Sequence, residues 1–439
     1  MPETQSPPVM GMAAAEGIED PFEAFNAASG QGSVRDPYPI FAAMREAAPV
    51  HRVAMDGEAQ AESSMLRGIS REIYVAVSYD AVKEVLTDAE RFSSAGYAES
   101  MGLVMGHSIL EMDGAEHTRH RRLINRAFTR HALEAWERDL VRPVVNRYVD
   151  RFAKRGRADL VRELALPFPV QVIAAMMGLP EELHGSFHRL AIEIIGMSID
   201  FERGMAASKK LGEMFRPLVE ERRERPGSDL ISVLANVGTE GERLGDEQIF
   251  AFLRLLAPAG AETTYRSSSN LLFGLLSSPE QLDALRRDSS LIPQAIEEGL
   301  RWEPPLPSIM RRATRDTELQ GVPIPAGSSV AVNLGSANRD ENYFEDPDRF
   351  DIFRSAEHPH MSFAFGPHLC LGMHLARMET RVVLTTLFER LRGLRLDPQG
   401  DDVHITGMTF RSPMVLPVVF EPEREVSPGA AGLGGDAAR

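Results

Sequence analysis

The only cysteine of this 439-residue chain, Cys370, lies in a stretch whose residue types could carry chemistry. Gly366-Pro367 marks a turn ahead of it, Gly372 follows it, and residues 374–391 show the apolar spacing of a helix. A thiol just ahead of a helix N-terminus meets free N–H groups that lower its pKa. Such a thiolate could be a nucleophile or a metal ligand. The alternative for an isolated cysteine is a buried, inert side chain.

Composition narrows these alternatives. A single cysteine excludes an intramolecular disulfide framework, a multi-cysteine zinc site, an iron–sulfur cluster and covalent haem attachment through Cys-x-x-Cys-His. The net charge of −16 disfavours nucleic-acid binding. No continuous apolar run is long enough to predict a transmembrane helix, and the acidic N-terminus lacks the layout of a signal peptide. We therefore expect a cytoplasmic protein without a membrane anchor.

A second group of chemically capable residues lies in the basic segment 117–131, which holds five arginines, three histidines and no acid. On a helix, His117 and Arg121 share one face, whereas Arg119, Arg122 and Arg126 fall on another. One alternative is a solvated basic surface. Two basic faces in an acidic protein instead indicate two anionic partners, namely a buried small molecule and a docking surface for another molecule.

The longest apolar helical pattern covers residues 246–277 and predicts a central, buried helix. Pro258 and Gly260 in its middle predict a kink, which Thr263 can loosen further by bonding to a carbonyl one turn earlier. Glu262 places a carboxylate in this apolar run, which is unfavourable without a partner or a purpose. The alternative is a glutamate that faces solvent beside an incidental kink.

A Glu–Arg pair, Glu298 and Arg301, lies on a short predicted helix at residues 291–302. Pairs three residues apart are common on helix surfaces, so this one is by itself weak evidence of anything but a surface ion pair. Its place between the central helix and the cysteine loop gives it more weight.

One large domain would have to position all these residues. The pattern is mainly helical, with β-branched runs at residues 73–78, 310–332 and 403–420. Residues 1–34 are predicted to be a loose leader and residues 426–439 a flexible tail, and no linker or repeat divides residues 35–425. Residues 92–112 predict a long, methionine-containing loop, of the kind that is often functional.

The stretch Phe363-Ala364-Phe365-Gly366-Pro367-His368-Leu369-Cys370-Leu371-Gly372 resembles the haem-binding loop of the cytochrome P-450 superfamily, Phe-Gly-x-Gly-x-His-x-Cys-x-Gly. It departs only at Ala364, where the family usually has glycine. Three further patterns follow the family's order and spacing: His117 with Arg121, the run from Ala259 to Thr263, and Glu298 with Arg301. The resemblance covers about residues 35–425. It implies the haem-thiolate fold, which is mainly α with a small β region in a single large domain.

The resemblance also implies roles for individual residues. Cys370 would be the axial thiolate ligand of a noncovalent haem b, pushing electron density to the iron and favouring O–O cleavage. Glu262 and Thr263 would deliver protons on the distal side, and Glu298 with Arg301 would be a buried pair that bonds the meander at residues 338–350. The propionates would be held by charge-assisted hydrogen bonds, with Arg312 as an adjacent alternative to Arg311. The cofactor contacts implied are His117, Arg121, Arg311, Phe363, His368, Gly372, Ala259 and Gly260.

The implied activity is insertion of one oxygen atom of O2 into an apolar small molecule. The residues expected to line the substrate cavity are apolar and rich in methionine, which suits a steroid, terpenoid, macrolide or fatty acid about equally, and no basic residue is expected to face it. They are Met101, Leu103, Val104, Met105, Ile195, Met197, Ala257, Ala261, Leu306, Ile309, Met408 and Phe410.

The chain has no Rossmann fingerprint, flavin domain or iron–sulfur cysteines, so electrons must come from a separate protein. We expect a ferredoxin, fed by an NAD(P)H-dependent reductase, to dock over Arg119, Arg122 and Arg126. Two alternatives are a peroxide-driven haem-thiolate enzyme and a non-catalytic haem binder. The Glu262-Thr263 pair argues against both, because dioxygen activation is what needs a proton supply.

Overall fold

A computed structural model describes residues 23, 26–27, 31–32, 34–54, 72–198, 200–238, 243–400 and 403–423. Helices dominate this part of the chain and the sheets are small, which confirms the predicted fold class. The α-helices are α1 (Tyr38–Ala47), α2 (Tyr79–Thr87), α3 (Met101–Met105), α4 (Gly114–Asn125), α5 (Arg130–Trp136), α6 (Arg142–Asp150), α7 (Pro167–Met176), α8 (Glu181–Ile195), α9 (Phe201–Glu224), α10 (Leu230–Asn236), α11 (Asp246–Leu276), α12 (Pro279–Arg287), α13 (Ile292–Trp302), α14 (Leu334–Ala337) and α15 (Met373–Arg390).

The strands form small sheets at the edge of the helical body. They are β1 (Val50–Ala54), β2 (Glu72–Ala76), β3 (Phe92–Ser93), β4 (Arg157–Asp159), β5 (Ser308–Ala313), β6 (Thr317–Leu319), β7 (Val322–Ile324), β8 (Ser329–Asn333), β9 (Arg395–Leu396), β10 (Ile405–Thr406), β11 (Ser412–Pro413) and β12 (Pro417–Val419). The largest sheet has the order β1-β2-β8-β5-β3, in which only β2 and β8 are parallel. The others are β4-β12-β9, the pair β10-β11 and the hairpin β6-β7.

Helix α11 is the centre of the larger hydrophobic core. It begins after Gly245, whose N–H donates to Gln248 Oε1 at 2.9 Å, and Asp246 and Glu247 in its first turn favour the positive end of the helix dipole. The helix runs through Pro258 without interruption, although proline supplies no N–H to the ladder. Apolar side chains of α7, α9, α13 and α15 pack around it. Residues of the five-stranded sheet and α2 form a second, smaller core.

Two segments differ from the sequence-based expectation. The basic helix is two helices, α4 and α5, because Thr129 interrupts it and caps α5 by accepting a hydrogen bond from the N–H of Ala132 at 3.2 Å. Residues 92–112 are more ordered than a loop, since they contain β3, a 3-10 turn (Ala95–Glu99) and α3. No helix in the described ranges combines the length and hydropathy needed to cross a membrane.

The predicted domain boundaries stay predictions, and most of the leader and all of the tail lie outside the described residues. Two leader residues are nevertheless tied to the domain. Asn26 is buried and contacts Arg266 of α11. Gln31 Nε2 donates to the carbonyl of Phe410 at 2.8 Å, and Gln31 Oε1 accepts from the Thr406 hydroxyl at 2.7 Å.

Candidate active site

The loop that carries Cys370 is fixed by its own backbone. The N–H of Cys370 donates to the carbonyl of Phe363 at 2.8 Å, and the N–H of Ala364 donates to the carbonyl of Met361 at 2.8 Å. Gly366 has φ +70° and lies so close to α2 that a Cβ there would be 2.5 Å from the carbonyl oxygen of Leu86. The loop is therefore pressed against α2 on one side and opens on the other.

Ala364 explains why the resembled family uses glycine at its position. Its φ is +58°, in the left-handed region where an L-residue with a Cβ is disfavoured by about 1–2 kcal/mol. Alanine at this position therefore introduces local backbone strain into the loop.

The Cys370 thiol is partly enclosed by protein. Its side chain has accessible surface, yet protein surrounds it closely enough that burial raises its pKa. Both observations hold if the surface that remains accessible faces inward. The N–H groups of Gly372 and Met373 and the charges of Arg121 and Arg377 act in the opposite direction but do not overcome burial. The expectation of a lowered thiol pKa is thus wrong for the protein alone, because desolvation outweighs the helix terminus.

Cationic groups from three distant segments meet beside this loop. The rings of His117 and His368 lie 4.1 Å apart between centroids, and Arg121 Nη2 donates to the carbonyl of Leu369. Arg311 is buried and acts electrostatically on His117. Its neighbour Arg312 instead pairs with Glu99, Nη2 to Oε2 3.0 Å, so the structure distinguishes the two adjacent arginines.

One of these basic groups, His117, has a ring nitrogen without a partner in the part of the chain that the structure describes. His117 is buried, and its Nε2 has no hydrogen-bond partner among the described residues. Burial and then the neighbouring His368 and Arg121 lower the pKa of His117 to about 4. Burial also lowers the pKa values of Arg121 and Arg311. An unpartnered histidine nitrogen beside two desolvated guanidinium groups is a fitting place for carboxylate groups of a cofactor.

One carboxylate, that of Asp113, lies in this cluster, although no sequence pattern predicted it. Asp113 Oδ1 lies 3.0 Å from His368 Nε2, while its Oδ2 accepts from the Ser93 hydroxyl at 2.5 Å and from the N–H of Ser94 at 2.9 Å. Asp113 precedes α4 as its N-cap but makes no capping bond, because these contacts occupy its side chain. His368 is thus already paired on one ring nitrogen.

On α11, the expected site residues Ala259, Gly260 and Thr263 all retain accessible surface. Ala259 is exposed and Thr263 is half-buried, with the Thr263 hydroxyl donating to the carbonyl of Ala259 at 2.7 Å as the sequence predicts. Gly260 points elsewhere, since a Cβ there would lie 2.8 Å from Ile173 Cδ1 of α7. Its lack of a side chain allows the two helices to approach, and the expected cofactor contact at Gly260 stays a prediction.

Glu262 is buried and paired within its own helix. Arg266 Nε donates to Glu262 Oε1 at 2.7 Å, and Arg266 Nη2 donates to the same oxygen. Burial raises the pKa of Glu262, whereas the arginine acts to lower it. The alternative of a solvent-facing glutamate does not hold, because only 4% of Glu262 is exposed.

Glu298 and Arg301 form a bidentate pair inside the protein. Arg301 Nε donates to Oε2 at 2.7 Å and Nη2 to Oε1 at 2.8 Å, and both residues are buried. Arg301 Nη1 also donates to the carbonyls of Asn338 at 2.9 Å and Pro347 at 2.8 Å. The pair therefore joins α13 to the meander, and the surface alternative does not hold.

The residues expected to line a substrate cavity fall into two groups. Val104, Met105, Ala257 and Ala261 are buried members of the larger core, with Ala257 fully inaccessible, so packing gives them little surface for a substrate. Met197 is also a buried core residue, and Leu103 is exposed. The half-buried members, which retain accessible surface, are Met101, Ile195, Leu306, Ile309, Met408 and Phe410.

The residues expected to dock a redox partner, Arg119, Arg122 and Arg126, are all exposed on or just after α4. They lie on the side of α4 away from the buried His117. The helix thus presents one basic face inward and another outward.

Sequence reasoning missed two buried polar residues near the site besides Asp113. Arg266 follows Glu262 by four residues, and this spacing could have been noticed as a helical ion pair. Glu379 of α15 is fully enclosed, and burial raises its pKa to about 8 against the effect of a hydrogen bond from the Thr264 side chain. It lies on a helix with no unusual local pattern, so only the three-dimensional structure reveals it.

Comparisons with known proteins agree with this geometry. A family model described as Cytochrome P450 matches residues 192–414. Cytochrome P450 monooxygenase PikC of Streptomyces venezuelae is 34% identical over 96% of this chain and 97% of its own length. A Steroid C26-monooxygenase of Mycobacterium tuberculosis is 34% identical over 79% of this chain and 94% of its own. The crystal structure of CYP109E1 from Bacillus megaterium in complex with testosterone has a TM-score of 0.77 and 33% identity, covering 88% of this chain and 99% of that one.

Proposed function

We propose, from the premise that the chain belongs to the cytochrome P450 family, that it inserts one oxygen atom of O2 into an apolar small molecule. The electrons would come from NAD(P)H through a separate reductase and ferredoxin, in the cytoplasm. The observation that carries the proposal is the convergence of His117, Arg121 and Arg311 on the loop of the lone cysteine.

Membership of the family makes the chain a haem-thiolate monooxygenase with noncovalent haem b. When bound, haem supplies dioxygen activation, and the protein supplies access, orientation and charge. Cys370 would hold the iron from the inward face of its loop. Arg121, Arg311 and the Nε2 of His117 would hold the propionates, with His368 oriented by Asp113 beside them.

The chain's own part in catalysis would be to supply protons beside Ala259, where α11 faces accessible space. The Thr263 hydroxyl now donates to the carbonyl of Ala259, and its lone pairs can accept a hydrogen bond from water. Glu262, one residue earlier, would supply the proton that reaches the hydroxyl through water. This proton supply favours a dioxygen-dependent reaction over a peroxide-driven one.

The substrate class is proposed as a steroid, terpenoid, macrolide or fatty acid. The half-buried residues Leu306, Ile309 and Phe410 are apolar, which suits any of the four. The relatives named above include a steroid oxygenase and a protein crystallised with testosterone, so testosterone is a reasonable first probe. Binding should shift the haem Soret band through displacement of an axial water, and product should form only with O2 and electrons. Turnover with hydrogen peroxide but none with ferredoxin, reductase and NADPH would favour the peroxide-driven alternative.

Ferredoxin docking is proposed to use the outward basic face of α4. Reversing the charge of Arg119, Arg122 and Arg126 should slow electron transfer and remove its dependence on ionic strength, because exposed charges act mainly on association rate. A matched control reverses Arg157, Arg392 and Arg395, which are exposed around β4 and β9. Equal slowing in both triple variants, or no change in the first, would overturn this docking site.

A further inference from the structure

The partner of Glu262 is itself held by residues far away in the sequence. Arg266 has no exposed surface. Its Nη1 donates to the hydroxyl of Ser412 at 3.0 Å, and its Nη2 donates to Asn26 Oδ1 at 2.7 Å. The guanidinium also lies over the rings of Tyr265, at 4.8 Å, and Phe410, at 5.3 Å. Its position is therefore fixed from several sides.

Arg266 binds only one of the two carboxylate oxygens of Glu262. Both guanidinium bonds end on Oε1, and within the described ranges no hydrogen bond to Oε2 is found. About 5% of the Glu262 side chain remains accessible. A carboxylate that is only structural would be expected to use both oxygens, since an unsatisfied acceptor in a buried place is unfavourable. Holding one oxygen leaves the other able to bind and release a proton.

We propose that Arg266 is a positioning residue that holds Glu262 by Oε1 and leaves Oε2 free for proton exchange beside Thr263. We infer further that Asn26, in the N-terminal segment, is part of this arrangement because it anchors the arginine. The inference rests on the proposed function of Glu262 as proton supplier. It assigns a catalytic support role to a segment whose sequence predicts only a loose leader.

The orientation of Asn26 agrees with this role. A guanidinium has donors only, so it must face the amide oxygen rather than the nitrogen of Asn26. Loss of that acceptor would let Arg266 move away from Glu262, and the buried carboxylate would then hold its proton more tightly. A purely structural tether would behave differently, because it would only lower stability and would leave the proton affinity of Glu262 alone.

The first test is infrared spectroscopy of the resting ferric holoenzyme as a function of pH. The carbonyl stretch of protonated Glu262 is assigned by its loss in Glu262→Gln, which separates it from Glu379. Asn26→Ala should raise the pKa of Glu262 by about one, the effect of weakening one charge-assisted hydrogen bond. Arg266→Met should raise it further, and Arg266→Lys should restore part of the difference.

Gln31→Ala is the matched control, because Gln31 tethers the same segment to residues 406 and 410 without touching Arg266. We expect it to leave the pKa of Glu262 unchanged. If Asn26→Ala folds but leaves that pKa unchanged, or if Gln31→Ala changes it equally, the positioning role is overturned. Because Asn26→Ala removes no charge, it tests the idea even if the Arg266 variants do not fold.

The second test is the coupling of NADPH oxidation to product. If proton delivery is disturbed, two electrons and two protons reduce O2 to hydrogen peroxide. NADPH is then oxidised without formation of product and water. Asn26→Ala should raise the ratio of peroxide to product about threefold, a small part of what general acid–base catalysis contributes, while Gln31→Ala should not. An unchanged ratio in Asn26→Ala overturns the inference. If no substrate is oxidised at all, the proposed function fails, whereas the infrared result still decides the role of Arg266.

Discussion

Two buried glutamate–arginine pairs, each made within its own helix, differ in how many carboxylate oxygens they engage. In the pair on α13, both oxygens of Glu298 are used: Oε1 accepts from Arg301 and from the N–H of Asp351 at 2.8 Å, and Oε2 faces Arg301 and Arg354, the latter at 3.3 Å. In the pair on α11, the hydrogen bonds that described residues make to the Glu262 carboxylate all end on Oε1. In the first pair both carboxylate oxygens accept hydrogen bonds, and we call this pair saturated. In the second pair only one oxygen accepts hydrogen bonds from described residues.

The difference shows that burial of an ion pair does not by itself reveal its role. A saturated carboxylate has no reason to change its protonation state and serves to join segments, here α13 and the meander. A carboxylate held by one oxygen remains able to exchange a proton. The number of oxygens engaged therefore separates a structural pair from one that can take part in a reaction.

The largest expected effect is on stability at the saturated pair. Glu298→Gln leaves Arg301 and Arg354 buried without their counter-charge, and the free energy of unfolding should fall by about 3–5 kcal/mol. The matched change Glu262→Gln removes the counter-charge of a single arginine, Arg266, which keeps its bonds to Ser412 and Asn26. It should therefore lower the free energy of unfolding by less, about 2 kcal/mol. Urea unfolding of both variants checks the order. Equal losses, or a larger loss at Glu262, would contradict the distinction between the two pairs.

A third buried glutamate, Glu379, extends the comparison because it forms no ion pair with any residue that the structure describes. Its pKa is about 8 in the fold against 4.5 unpaired, so the folded state binds the extra proton between these values. Ionisation of Glu379 should therefore not lower the free energy of unfolding below pH 4.5. Between pH 4.5 and 8 it should lower this free energy progressively, by about 3 kcal/mol at pH 7. Glu379→Gln should remove this slope. The free energy of unfolding is measured at pH 4.5 and pH 7 in both proteins. If it differs between the two pH values by as much in Glu379→Gln as in the wild type, another group is responsible.

The sequence was sufficient for the parts of the site that depend on local spacing. Cys370 and its loop, the i,i+4 relation of His117 and Arg121, and the pair Glu298–Arg301 were all predictable from short patterns. What could not be predicted was which groups meet across the fold. Asp113 reaches His368 over 255 residues of separation, and Asn26 reaches Arg266 over 240. Such contacts depend on tertiary packing, so a local sequence pattern cannot predict them.

Packing also places some of the expected site residues against other parts of the protein. Ala257 and Met105 are apolar, as cavity residues often are, but both are buried in the hydrophobic core. Gly260 fits a cofactor motif, yet its neighbour is Ile173. Residue type alone does not tell whether an apolar or small side chain faces a ligand or another helix, because both environments favour the same residues.

The smallest expected effect is at Ala364. Replacing it by glycine relieves the left-handed strain at φ +58° but adds conformational entropy to the unfolded chain. The free energy of unfolding should rise by about 0.5–1 kcal/mol. The haem absorption spectrum of the holoprotein should not change. Denaturant unfolding measures it, with Ala326→Gly in the turn after β7 as a control outside the positive-φ region. A loss of stability in Ala364→Gly would mean that the loop conformation is not strained.

The central claim is that Cys370 supplies a thiolate to haem iron, and the carbon monoxide complex of the reduced protein tests it most directly. Thiolate ligation predicts a strongly red-shifted Soret band for the wild-type holoprotein. Cys370→Ala should abolish that band while the protein still folds, since the chain holds no other cysteine. A wild-type complex with the unshifted band of a neutral axial ligand, or a red-shifted band that survives in Cys370→Ala, would contradict the account.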